Sequence, residues 1–167
     1  MSRLAVPDET KRPFFLYDFV DVARPFETLE RLCRSSGSWL GPLASAAGED
    51  GEALLVRIGP AWAAGRMSRE VRVTLAACRE RGNGLVASIR WEAAEQPGLF
   101  PVLEGDLELT PLGPDLCRLI LSASYVPPFG ELGRRLDRAL LHRVAESTVR
   151  SFLARLAASL EAYEASV

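Results

Sequence analysis

Hydrophobic and polar positions alternate with a period of two through the middle of the chain, and the period lengthens to three or four near its end. Leu54, Val56 and Ile58 are separated by Leu55 and Arg57. Val71, Val73, Leu75 and Ala77 alternate with Arg72 and Thr74, and Leu85, Ala87, Ile89 and Trp91 with Ser88, Arg90 and Glu92. Leu103, Gly105, Leu107 and Leu109 alternate with Glu104, Asp106, Glu108 and Thr110, the most regular run in the sequence. Leu119, Leu121, Ala123 and Tyr125 complete the series. Side chains of a strand point alternately to its two faces, so this pattern predicts an antiparallel sheet with one face dry and one wet. Arg81-Gly82-Asn83-Gly84 is a hairpin turn, because Gly and Asn accept positive φ. Pro97-Gly98 and Gly113-Pro114-Asp115 mark further turns.

The flanks read differently. Phe14 to Val22 is aromatic and β-branched and predicts an opening strand. Pro25 suits the first turn of a helix, where its missing N–H costs nothing, and Phe26, Leu29, Leu32 and Cys33 follow at helical spacing. Trp39 to Ala47 reads as a second short helix broken by Gly41-Pro42, and Gly59 to Met67 as a loop. After Pro127-Pro128, no proline occurs between Gly130 and Ala165. Leu132, Leu136, Leu140, Val144, Thr148, Phe152, Leu156, Leu160 and Tyr163 step by three or four, an apolar stripe on one helical face. About thirty residues at 1.5 Å rise give a helix of about 45 Å. Its stripe must be covered, and the sheet is the available partner.

Composition narrows the class. A chain of 167 residues suggests one domain, and 48% hydrophobic with 25% charged residues is ordinary for a globular protein. At that size roughly 70% of the unfolded chain's surface is buried, enough for a core without staples. The net charge of −2, with both signs mixed along the chain, argues against nucleic-acid binding, which needs a basic field. The many Ala, Leu and Arg, with Lys11 the only lysine, fit a GC-rich bacterial gene. No run of about 18 apolar residues spans a membrane, and the first residues lack the apolar run of a signal peptide, so the expected compartment is the cytoplasm. The three cysteines, Cys33, Cys78 and Cys117, are scattered and His142 is the only histidine. A zinc site is therefore not expected, no metal or other cofactor is implied, and the thiols are expected to be free.

The order of strand, one or two helices, meander and long final helix resembles the helix-grip fold of the START-like, Bet v 1-like, polyketide-cyclase-like (SRPBCC) superfamily. The segments FFLYDFVDVARPFETLERLC and YVPPFGELGRRLDRALLHRVAESTVRSFLARLAASL carry the resemblance, which runs from Phe14 to about Tyr163. The expected fold is α+β, an antiparallel sheet of about six or seven strands wrapped around a long C-terminal helix. Residues 1–12 are expected to be a flexible N-terminus and residues 13–167 a single START-like domain. The resemblance implies a cavity between sheet and helix that takes lipids, sterols, hormones or aromatic polyketides. It carries no common catalytic motif.

Candidate chemistry is sparse. Trp91, Leu107, Leu109, Leu121 and Tyr125 fall on the inward face, and with Phe129, Leu136, Leu140 and Val144 they are the residues expected to line an apolar ligand site. The same residues would serve equally as a filled core. His142 lies between Leu140 and Val144, off the apolar stripe, and is expected to face solvent. Arg90 is expected to pair with Glu104 or Glu92 on the outer face. Ser147, Thr148 and Ser151 lack an adjacent base, so nucleophilic catalysis has no apparatus. Tyr17, Asp18 and Asp21 could serve acid–base chemistry only by reaching the interior, and surface or capping roles are expected for the aspartates.

Three functions are compatible with these features. The leading one is binding of a hydrophobic small molecule or lipid, without catalysis. The alternatives are a cyclase, aromatase or dehydratase acting on a hydrophobic polyketide-like substrate, and a protein-interaction module with a vestigial cavity. Monomer and homodimer are both open.

Overall fold

A glycine with positive φ organises the centre of the sheet. Gly82, at φ 63°, turns the chain between β5 (Arg79–Arg81) and β6 (Gly84–Ala93), where a side chain would be strained. The computed structural model describes residues 13–36, 44–47, 53–58, 69–94, 102–126 and 138–163. Within them the other strands are β1 (Phe14–Val22), β2 (Ala44–Ala47), β3 (Ala53–Ile58), β4 (Arg69–Leu75), β7 (Leu103–Gly113) and β8 (Leu116–Tyr125). The helices are α1 (Phe26–Ser36) and α2 (Arg138–Ala162).

All pairings are antiparallel, in the order β1-β8-β7-β6-β4-β3-β2, with β5 paired to β6. Every strand from β2 to β8 pairs with a sequence neighbour or crosses one short strand, the low-crossover arrangement expected of a meander. The first strand closes the sheet by pairing with the last, Phe14 opposite Tyr125 through Val22 opposite Cys117. The α+β helix-grip architecture is the expected one. Short β2 and β5 bring the strands to eight, and Ala44–Ala47 is a strand where helix was expected. Its sequence, Ala-Ser-Ala-Ala, has no strand signal of its own; pairing with β3 makes it one.

The alternating residues sort as their pattern requires. Leu16, Val73, Leu85, Ile89, Trp91, Leu103, Leu107, Leu109, Leu119, Leu121 and Tyr125 are buried in one cluster with Leu29 and Leu32 of α1 and Val149, Phe152, Leu153, Leu156 and Leu160 of α2. The outer face carries a polar ladder: Arg90 donates to Glu104 and lies 3.5 Å from Glu92, Ser88 donates to Asp106 at 2.9 Å, and Arg81 lies 3.5 Å from Glu108. The helix α2 packs mainly along β1 and also touches β8 and β3. Strands near opposite ends of the sheet therefore reach one helix, so the sheet curls around it.

The expectation of free thiols fails for two of the three cysteines. Cys33 and Cys78 are joined as a disulfide, with Cα atoms 6.4 Å apart, and only Cys117 is free. The cause lies in the register. Leu75 opposes Ile89 but Arg79 opposes Val86, so the strand side holds one extra residue at positions 76–78. That bulge shifts the phase and sets Cys78, in place of Ala77, on the inner side, towards Cys33 of α1.

Candidate functional site

Where α2 meets the sheet, its two halves differ. From Val149 to Leu160 the helix buries Val149, Phe152, Leu153, Leu156, Ala157 and Leu160. From His142 to Thr148 no residue is fully buried. The ring of Phe152 meets Trp91 edge-on, with centroids 5.3 Å apart, and closes the sealed half.

A row of inward side chains fixed by strand register runs from the less covered half towards Phe152: Phe14 beside Tyr125, Tyr125 beside Leu103, Leu103 beside Trp91. The next row contains two small residues, Ala123 and Gly105. Phe14 stacks on Tyr125 with centroids 5.5 Å apart and also meets the ring of His142 at 5.7 Å. His142 Nε2 lies 3.4 Å from Glu146, one helical turn on. Tyr125 is 4% exposed. Burial, with the nearby Glu146 charge, pushes its hydroxyl up to about 12. Tyr125 Oη and His142 Nδ1 are buried without a hydrogen-bond partner among the described residues.

Of the residues expected to line a ligand site, Trp91, Leu107, Leu109, Leu121 and Tyr125 are inward and buried, and Val144 is half-buried on α2. Leu140 lies in the first turn of α2, with its side chain outside the described residues, as are Phe129 and Leu136. His142 does not face solvent as its helical phase suggested: its side chain is 34% exposed, and the ring rests against Phe14. That contact comes from the first strand, so nothing in the local pattern announces it. Phe14 itself was missed; its position opposite Tyr125 follows only from the β1–β8 pairing.

The remaining candidates have other partners. Thr148 and Ser151 donate their hydroxyls to the carbonyls of Val144 and Ser147, at 2.7 and 2.8 Å, along their own helix. Asp21 takes two hydrogen bonds from Arg118, at 2.7 and 3.0 Å, and its carboxyl is held below the usual range by them. Asp18 accepts from Arg150 of α2 at 3.2 Å. Tyr17 is 67% exposed and does not reach the interior. With Phe15 and Phe19 it forms an outward aromatic stripe on β1, and Arg118 lies over the Phe19 ring at 4.4 Å. Among the described residues no group of acidic, Cys and His side chains could hold a metal ion, and no helix is long and apolar enough to cross a membrane.

This arrangement has solved counterparts. An aromatase/cyclase, ZhuI, from a Streptomyces species is similar at 19% identity and TM-score 0.54, over 90% of this chain and 94% of that one. A conserved protein from Geobacillus kaustophilus matches at 12% identity and TM-score 0.55, over 86% and 93%. A Thermus thermophilus protein matches at 19% identity and TM-score 0.53, over 91% and 100%. The chain shares the fold of these proteins, the helix-grip arrangement expected from its order of elements. No protein-family model and no curated protein matches its sequence. Likeness at these identities is a likeness of fold, and the helix-grip scaffold hosts more than one chemistry.

Proposed function

We propose that this helix-grip protein binds a hydrophobic small molecule or lipid between the inner face of its sheet and the N-terminal half of α2. The observation that carries the reading is the contrast along α2: buried residues recur from Val149 to Leu160 and none lies between His142 and Thr148. The floor is apolar, with Leu103 and Trp91 beside Tyr125, and small residues at Gly105 and Ala123. Apolar walls with few polar groups are the usual make-up of a small-molecule site. Native mass spectrometry of the purified protein, followed by organic extraction, tests the reading. A discrete apolar adduct supports it. Failure of the protein to take up any member of a panel of fatty acids, sterols and polycyclic aromatics would count against it.

A second reading is a cyclase, aromatase or dehydratase on a hydrophobic polyketide-like substrate. It requires at least two polar groups converging on the inner face, and Tyr125 and His142, both packed against Phe14, are the candidates for them. The fold likeness to an aromatase/cyclase points the same way. Conversion of an aromatic polyketide mimic, lost on replacing either residue, distinguishes turnover from binding.

A further inference from the structure

We propose that Tyr125 Oη and His142 Nδ1 together form the polar contact of the ligand site, and that they select a ligand carrying an alcohol or phenol hydroxyl on an otherwise apolar body. The inference deepens the binding reading above and rests on it.

Two buried polar atoms without partners are uncommon in a native protein, and two against one aromatic ring are less expected still. Both rings flank Phe14, within 5.5 and 5.7 Å, and both unsatisfied atoms belong to them. Leaving such atoms unpaired costs stability, so their retention beside one ring, without a partner among the described residues, points to a partner supplied by a ligand.

The chemistry of that partner follows from the protons. Glu146 lies against Nε2 of His142; in the neutral imidazole it favours the tautomer with the proton there, which leaves Nδ1 with a free lone pair. Tyr125 Oη is a donor, its proton held firmly by burial. The site therefore offers one acceptor and one donor. A hydroxyl suits either atom, giving its proton to Nδ1 or accepting from Oη. A carboxylate or a ketone has no proton to give Nδ1, and a hydrocarbon satisfies neither atom. The apolar remainder would lie along the row Tyr125, Leu103, Trp91, which spans two strand spacings, about 10 Å. That is the scale of two fused rings.

The probes are 2-naphthol and naphthalene, titrated into the full chain by calorimetry or by quenching of tryptophan fluorescence. The expected result is tighter binding of 2-naphthol by about tenfold or more, as one or two added hydrogen bonds provide. Tyr125→Phe and His142→Phe should each erase most of that preference. Glu146→Ala should weaken the preference, and Glu146→Gln, which keeps an acceptor for Nε2, should retain it; Glu146 is thus a positioning residue. Equal binding of the two probes to the unmodified protein overturns the proposal and leaves the apolar site standing. A preference that survives both aromatic substitutions also overturns it. Binding of neither probe overturns the apolar-site reading and this proposal with it. Tyr125→Phe removes one oxygen and no packing, so loss of fold is not at issue in that variant.

Discussion

The backbone N–H of Ala23 donates to Oε1 of Glu161 at 2.8 Å, while Arg24 donates to the carbonyl oxygen of the same Glu161, through Nε at 2.9 Å and through Nη2. The last carbonyls of a helix have no partner within it, so the turn between β1 and α1 acts as a C-terminal cap for α2. A cation there also suits the negative end of the helix dipole. Arg24→Ala should cost about 1 kcal/mol. It should also speed amide exchange in the final turn of α2, with little change at β6 or β7. Glu161→Gln should cost less, since its amide oxygen still accepts from Ala23.

Tyr125→Phe should stabilise the protein, by about 1 kcal/mol in chemical denaturation, because it deletes a buried hydroxyl that has no partner. A destabilised variant would mean that the hydroxyl is satisfied in solution, by water or by residues outside those described.

The same hydroxyl makes alkaline stability fall. Its proton leaves at about 12 in the folded protein, against an ordinary value of 10.0. Below pH 10 the phenol is neutral in both states and contributes no slope. Between 10 and about 12 the unfolded chain ionises while the folded one holds its proton, so folding weakens as pH rises. Phenolate absorbance should show one of the three tyrosines titrating late, and Tyr125→Phe should remove that component.

Thiol titration checks the covalent link. The native protein should expose no reactive thiol: Cys117 is buried, its proton pushed up to about 11 by that burial and by the Glu27 charge, and Cys33 and Cys78 are bonded. Unfolding should reveal one thiol, and unfolding with reduction three. Because the bond closes a loop across 45 residues, reduction should cost about 4 kcal/mol in the chain-entropy picture. Three thiols in the unreduced, unfolded chain would remove the link.

Gly105→Ala should destabilise by about 1–3 kcal/mol. A Cβ at this position would run into the carbonyl of Ser122 and the Cα and Cβ of Ala123 on the neighbouring strand. Backbone cannot yield as a side chain can, so thermal unfolding of the variant should shift clearly downwards.

Period-two alternation carried most of the sheet, because most inward residues of β4, β6, β7 and β8 are separated by polar ones. It placed Trp91, Leu107, Leu109, Leu121 and Tyr125 on the buried face. Three features escaped it for one shared reason: each depends on a partner distant along the chain. Ala44–Ala47 is a strand through its pairing with β3, Cys78 turns inward through a bulge against β6, and His142 is drawn in by Phe14. A helical wheel of α2 sees none of these. The site's apolar wall was therefore legible and its polar atoms were not.

The side-chain ties between α2 and the rest of the chain also have a direction. Arg150 reaches Asp18, and Glu161 holds Ala23 and Arg24, all in the half of the helix that is already sealed by Phe152, Leu156 and Leu160. At the other end, among the described residues, His142 meets the sheet only through ring contact with Phe14. The helix is thus mounted like a lever clamped at its far end. Among the described residues the polar ties of α2 to β1 and to the turn after it are gathered at one end, so less polar bonding holds the end over Tyr125 than the end over Leu160.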